Sequence, residues 1–451
     1  MSSSSSSIYS NELAFIVVFI IISALVVDTS IIKIYYLNVQ QSSSISSVIV
    51  FIIISAIYMV GQYFVLEYVN KKSREVGDYK KFRIKVLHRA LTAVQYGLTA
   101  INIFVIVQMV VISRYNVASL IAVCSISYGL SIILMGILAQ RFFSWFKITR
   151  NHVVLLYGIS SAVIGINATF TLFYVAYMLF LNQPAIIRPH ITFFTPFSVP
   201  TPLVIILNYG YIVSTIASFI TSWIATTMLL RLYSKKPSAI KYWIIICIPL
   251  AYFLMQFNPL FLNLFLPISE SEPIFFSTLY TLFFTMSKPA GGVLFGIAFW
   301  SVARSLKHST TVRSYMIMSA FGFVLLFVSN QAVALISAPY PPFGLSTISL
   351  MGLSSYLILI GIYSSAVSIS QDINLRKSIR KAAQQQSELL SDIGTAQMQK
   401  ELEKRVMRIV KEDSDTLIEE TGVMPSMSEF DMKEYLDKVL VEIKTQNTKK
   451  E

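Results

Sequence analysis

The chain has 451 residues, 55% of them hydrophobic and 13% charged, with a mean hydropathy of +0.65. A water-soluble domain cannot hide that much apolar surface. The net charge of +13 suits nucleic acid only superficially: residues 1–369 hold 22 Lys/Arg and 7 Asp/Glu, while residues 370–451 hold 14 and 16. The positive excess therefore lies in the apolar part, where basic loops set membrane orientation, and nucleic acid is not an expected partner.

Residues 1–12 are Ser-rich and contain no Lys or Arg. They read as a cytoplasmic leader rather than a cleavable signal, so the apolar run that follows is expected to stay as an anchor. Apolar runs at 13–36, 47–68, 90–112, 117–140, 153–181, 203–230, 242–265, 274–299, 315–336 and 345–369 predict ten spans. Each is long enough for a helix to cross a hydrocarbon core of about 30 Å. Helices are required because an open strand would leave backbone groups unpaired in lipid. The predicted fold is all-α: a polytopic transmembrane bundle over 13–369, followed by a cytoplasmic helical tail over 370–451.

Charge on the connections supports this count. Alternate connections carry 18 Lys/Arg, eight of them between Lys71 and Arg89, whereas the opposite side has only Lys33, Arg114 and Arg188. The positive-inside rule then places both termini in the cytoplasm of a cell membrane. Trp145, Trp243 and Trp300 fall at predicted inner interfaces, and Tyr35, Tyr36, Tyr115 and Tyr340 at outer ones, where amphipathic rings favour the headgroup layer. Two outer connections are proline-rich, Asn182 to Pro202 and Ala338 to Pro342. They read either as caps over an outward-facing cavity or as plain connectors.

Cys124 and Cys247 both fall in apolar runs and read as packing residues rather than a disulfide or metal pair. His88, His152 and His308 are expected in inner connections and His190 in an outer one. None has metal-ligand spacing, and no nucleotide loop or nucleophile elbow occurs. No cofactor, metal or catalytic activity is expected.

Lys288 is the sharpest candidate, within Ser287-Lys288-Pro289-Ala290-Gly291-Gly292. A Lys at the centre of a span costs roughly 2.5–3.5 kcal/mol on insertion scales. Pro289 removes a helical donor, and Gly291 and Gly292 loosen the backbone, so a kinked or broken helix lining a polar cavity is expected. Such a Lys binds an anion, pairs with a carboxylate or changes protonation state; its structural alternative is a charge that snorkels or pairs within the bundle. Asp28, in the first run, is the carboxylate to test as its partner, with Lys33 competing. Asn258, Asn330 and Gln331 are further candidates, and Pro259 after Asn258 marks a second break. Asn167, Asn208 and Gln256 are similar polar positions. Buried amides of this kind also serve as interhelical glue worth roughly 1 kcal/mol each.

In the tail, Leu375, Ile379, Ala382, Gln386, Leu389, Ile393 and Ala396 alternate in steps of four and three, the seam of a short coiled coil or helix pair. Arg376, Lys377, Arg380 and Lys381 would meet anionic headgroups. Gly394-Thr395 is expected to interrupt the helix. A second run follows from Met398 to Ile409, and a last helix, after a capping box at Ser426 and Glu429, presents Met432, Leu436, Val439, Leu440 and Ile443. The tail has no His and no nucleotide loop, so output must pass to a second copy or a cytoplasmic signalling partner.

The stretches Ser370-Gln371-Asp372-Ile373-Asn374-Leu375-Arg376-Lys377-Ser378-Ile379-Arg380-Lys381 and Ile393-Gly394-Thr395-Ala396-Gln397-Met398 resemble the juxtamembrane region of uncharacterised multi-pass archaeal membrane proteins, and the signalling helix that follows a multi-span sensor. That resemblance implies a membrane sensor without its own catalytic domain. The alternatives are a secondary transporter of a small anionic or proton-coupled solute, suggested by Lys288 and the predicted breaks, and a structural subunit of a membrane complex.

Overall fold

Apolar residues that leave water must take their backbone hydrogen bonds with them, and a helix makes those bonds within one segment. A computed structural model describes residues 20–28, 30–31, 45–73, 78–182, 185–188, 201–233, 239–258, 271–272, 275, 283–306, 310–337, 339–371 and 388–421, and these are overwhelmingly helical. The helices are α1 (20–28), α2 (Ile45–Ser73), α3 (Asp78–Ile112), α4 (Val117–Thr149), α5 (His152–Asn182), α6 (Pro202–Tyr233) and α7 (Ala239–Met255). They continue as α8 (Ser287–Ser305), α9 (Thr310–Ser329), the short α10 (Leu345–Ser349), α11 (Met351–Gln371) and α12 (Glu388–Thr421). A 3-10 helix, Ala332–Ser337, follows α9.

Seven stretches of the described residues are long and apolar enough to cross a membrane: Ile45–Lys72, Lys85–Ile112, Val117–Thr149, His152–Leu181, Pro202–Arg231, Thr311–Ile336 and Leu345–Gln371. They mark the chain as a membrane-embedded helical bundle. Val111, Ile133, Phe173 and Ile245 are exposed on its flanks, which costs nothing against lipid tails. α7 has 17 residues and ends inside the predicted run 242–265, and α8 has 19 and begins inside 274–299. Of the first predicted run only 20–28 and 30–31 are described.

Local chemistry sets several boundaries. The Asn116 side chain accepts from Ala118 N–H at 2.9 Å and caps α4. Arg150 ends α4 in a left-handed conformation, and Asn151 caps α5 by accepting from Val153 N–H at 2.7 Å. These side chains satisfy amides that a helix start leaves without intrahelical partners.

Connections predicted to share a side meet one another. The two-residue strands β1 (Tyr115–Asn116) and β2 (Ile186–Ile187) pair antiparallel. Tyr115 donates its hydroxyl to the Pro339 carbonyl at 2.7 Å and stacks on Tyr340. At the other end of the bundle, Tyr315 donates to the Lys72 carbonyl at 2.8 Å, and α12 lies against α4 and α11.

α11 is the central helix. Every residue from Pro341 to Ile362 is buried, an unbroken interior run that spans α10 and the first half of α11. Glycines let neighbours come this close: a Cβ at Gly361 would collide with Ser319 and the Tyr315 carbonyl of α9, and one at Gly322 would sit 2.9 Å from the Ile358 nitrogen. Gly361→Val is therefore expected to destabilise the bundle by about 1–3 kcal/mol through overpacking. A thermal unfolding midpoint in detergent equal to wild type would contradict this packing.

Candidate functional site

An ammonium group held inside an apolar bundle needs oxygens around it. Lys288 is buried and sits in the first turn of α8. Pro289 follows it in that turn, where a missing N–H costs no intrahelical bond. Gly291 and Gly292 lie inside α8, in its first two turns. A Cβ at Gly291 would strike the Phe219 ring of α6, and one at Gly292 would lie 2.8 Å from Phe327 of α9. They allow close approach of helices, and Lys288 follows an interruption at Met286, a turn between the helical residues 283–285 and the start of α8.

The ammonium donates to the Asn330 backbone carbonyl at 3.2 Å and to the Tyr211 hydroxyl at 3.3 Å. The carbonyl is free to accept because α9 ends at Ser329. The Asn330 side chain is the hub of a wider network. Its amide donates to Asn167 Oδ1 at 2.9 Å, and its oxygen accepts from the Tyr128 hydroxyl at 3.0 Å. Tyr128 in turn accepts from Ala332 N–H, and Asn167 donates to Ser214 and Thr215. All these partners of Lys288 and Asn330 are neutral. Tyr128 is eleven residues into α4, so the network lies about 16 Å from that end of the helix.

Asp28 is elsewhere. Its fully buried carboxylate accepts from Gly344 N–H at 2.9 Å, Thr347 N–H at 3.3 Å and the Thr347 hydroxyl at 2.6 Å. Gly344 has φ 88°, the left-handed region that glycine tolerates. No ion pair joins Asp28 to Lys288. Their partners belong instead to opposite ends of the segment from Asn330 to Gly344 between α9 and α10, which carries the 3-10 helix Ala332–Ser337.

The remaining predicted residues are dispersed. Gln331 opens the 3-10 helix by accepting from Ala334 N–H at 2.9 Å. Asn258 is exposed in the turn after α7, and Pro259 lies outside the described residues. In the tail, Leu389, Ile393 and Ala396 are buried, while Leu375, Ile379, Ala382 and Gln386 lie outside the described residues, as do Met432 to Ile443. α12 runs unbroken through Gly394-Thr395, and Gly394 lies against Ile369 of α11, where a Cβ would not fit. Trp145 is fully buried and donates to Gln397 at 3.1 Å. Asn151 donates to Asp392 at 2.6 Å, Lys400 to Ser144 at 2.6 Å, and Ser370 to Glu401 at 3.4 Å.

Sequence reasoning passed over Tyr58, Gln95, Asn102, Tyr128 and Tyr211. A signal existed for three polar residues: His88, Gln95 and Asn102 recur every seven positions and share one face of α3. His88 is in α3, not in a connection, and its Nδ1 is 3.1 Å from the Tyr356 hydroxyl of α11.

Comparison with known family models, curated proteins and solved structures found no match.

The arrangement is chemically poised in two places: a lysine ammonium surrounded by neutral oxygens, and a carboxylate held by backbone and hydroxyl donors. Replacing the hub tests the first. Asn330→Leu leaves the Asn167 and Tyr128 side chains short of a buried partner, at about 1–3 kcal/mol for each orphaned group. A lowered unfolding midpoint is expected, and an unchanged one would mean that the network does not hold these helices together.

Proposed function

We propose that this chain is a multi-pass membrane signal-transducing module that acts through its helical tail rather than through a catalytic domain of its own. In this reading the bundle has ten spans and both termini are cytoplasmic. The observation that carries it is the position of α11. One end of this buried helix adjoins the polar passage that holds Asp28 and Asn330. The other end meets α12, through Gly394 against Ile369 and through Ser370 and Glu401. A cue that rearranges hydrogen bonds in the passage displaces α11, and a displaced α11 repositions α12. Leu402 and Ile409, seven residues apart, are exposed on α12 and suit a second copy or a cytoplasmic partner.

Transport is the second reading, favoured by a buried Lys288 ammonium whose partners are a carbonyl and a hydroxyl. Ionisable groups of this kind mark solute and proton paths in membrane proteins.

Spin labels at Arg150→Cys and Arg405→Cys, in a Cys247→Ser background in lipid nanodiscs, separate the two readings. Signalling through α11 predicts that Lys288→Met changes the distance distribution between α12 and the end of α4. An unchanged distribution, together with a solute flux that Lys288→Met abolishes, would replace this reading with transport.

A further inference from the structure

A second polar cluster lies between α2, α3 and α10, apart from Lys288. Gln95 and Asn102 are fully buried and Gln62 is 2% exposed. The orientation of each side-chain amide is set by its acceptors. Gln95 Nε2 donates to the Tyr58 hydroxyl at 2.9 Å and to the Ser349 carbonyl at 3.1 Å. Asn102 Nδ2 donates to the Leu98 carbonyl and to the Ser349 hydroxyl, each at 3.1 Å. A carbonyl only accepts, so neither amide can be turned around. Gln62 Nε2 donates to Thr99, whose hydroxyl is already committed to the Gln95 carbonyl.

These bonds use both N–H groups of Gln95 and both of Asn102. The oxygens Gln62 Oε1, Gln95 Oε1 and Asn102 Oδ1 are left buried with no hydrogen-bond partner. Three unmatched acceptors in an apolar bundle are costly, and what the cluster lacks is a donor or a positive charge. An acidic group bound to the same short helix points the same way. Asp28 accepts from Thr347, two residues before Ser349 on α10. The Asp28 carboxylate has no ion-pair partner among the described residues.

We propose that Gln62, Gln95 and Asn102 supply oxygen ligands to a monovalent alkali cation whose charge Asp28 balances. Hard cations take oxygen ligands, and carbonyl-type oxygens replace a hydration shell inside a membrane. One carboxylate matches one positive charge. A divalent or transition metal is not matched, since no group of three His, Cys, Asp or Glu occurs among the described residues. The ion joins α2 and α3 to the α10 turn, and with Asp28 it ties α1 to the same turn. This assignment is independent of whether the module signals or transports.

Binding of 22Na+ to the full chain in detergent, with choline chloride holding ionic strength constant, tests it directly. Saturable binding of about one ion per chain is expected, competed by unlabelled Na+ or K+ and accompanied by a higher unfolding midpoint in either salt than in choline. Gln95→Met and Asn102→Leu are each expected to weaken binding about tenfold or more, with Asp28→Asn doing the same through charge. Lack of saturable binding to the wild-type chain overturns the proposal and leaves water as the occupant. So does binding of equal strength in folded Gln95→Met and Asn102→Leu proteins.

Discussion

Backbone groups that leave a helix inside an apolar bundle have no water to bond, so the protein itself must supply every partner. This constraint governs the two ends of the segment from Asn330 to Leu350, on either side of the connection at Pro339 and Tyr340. Lys288 takes the Asn330 carbonyl, Tyr128 takes the Ala332 amide, Tyr115 takes the Pro339 carbonyl, and Asp28 takes the amides of Gly344 and Thr347. Gln95 meets the Ser349 carbonyl at the junction with α11. The two buried charges thus serve first as hydrogen-bonding partners for irregular backbone. Their chemistry with any ligand builds on that role, and the cost of burying each charge is offset by groups that otherwise lack partners.

The same passage makes α11 unusual. A span flanked by regular helices can face lipid on one side. α11 follows a segment that only protein can satisfy, so it lies inside the bundle, and small residues such as Gly352 and Gly361 let neighbours close around it. Its far end is covered by α12 rather than left open. Leu389, Ile393 and Ala396, spaced as for a helix pair, bury their seam against the bundle itself. The exposed positions Leu402 and Ile409 lie further along the same helix.

Much of the fold was legible because hydropathy and loop charge report directly on partition between lipid and water. The seven long apolar helices fall on predicted runs, and connections predicted on one side, such as those around Tyr115, Ile187 and Tyr340, touch one another. The site was less legible. A Lys and an Asp in apolar runs suggest an ion pair, yet each is satisfied by backbone and hydroxyl oxygens or donors that carry no charge signature in the sequence. Pro289 and the two glycines suggest a break; the interruption falls at Met286, with proline in the first turn that follows and the glycines used for close approach. Composition cannot distinguish these uses. Likewise Gly394 reads as a helix breaker, whereas contact with Ile369 demands its missing side chain. The seven-residue spacing of His88, Gln95 and Asn102 was the one unused pattern that pointed into the bundle.

The central claim is mechanical coupling, through α11, between the buried passage and the tail helix. Amide hydrogen exchange in nanodiscs measures it most directly, with wild type compared with Asp28→Asn, which sets an amide donor where Thr347 needs an acceptor. The account predicts faster exchange both at residues 344–350 and at residues 389–397 of α12. Faster exchange confined to 344–350, with the tail helix unchanged, would contradict the coupling.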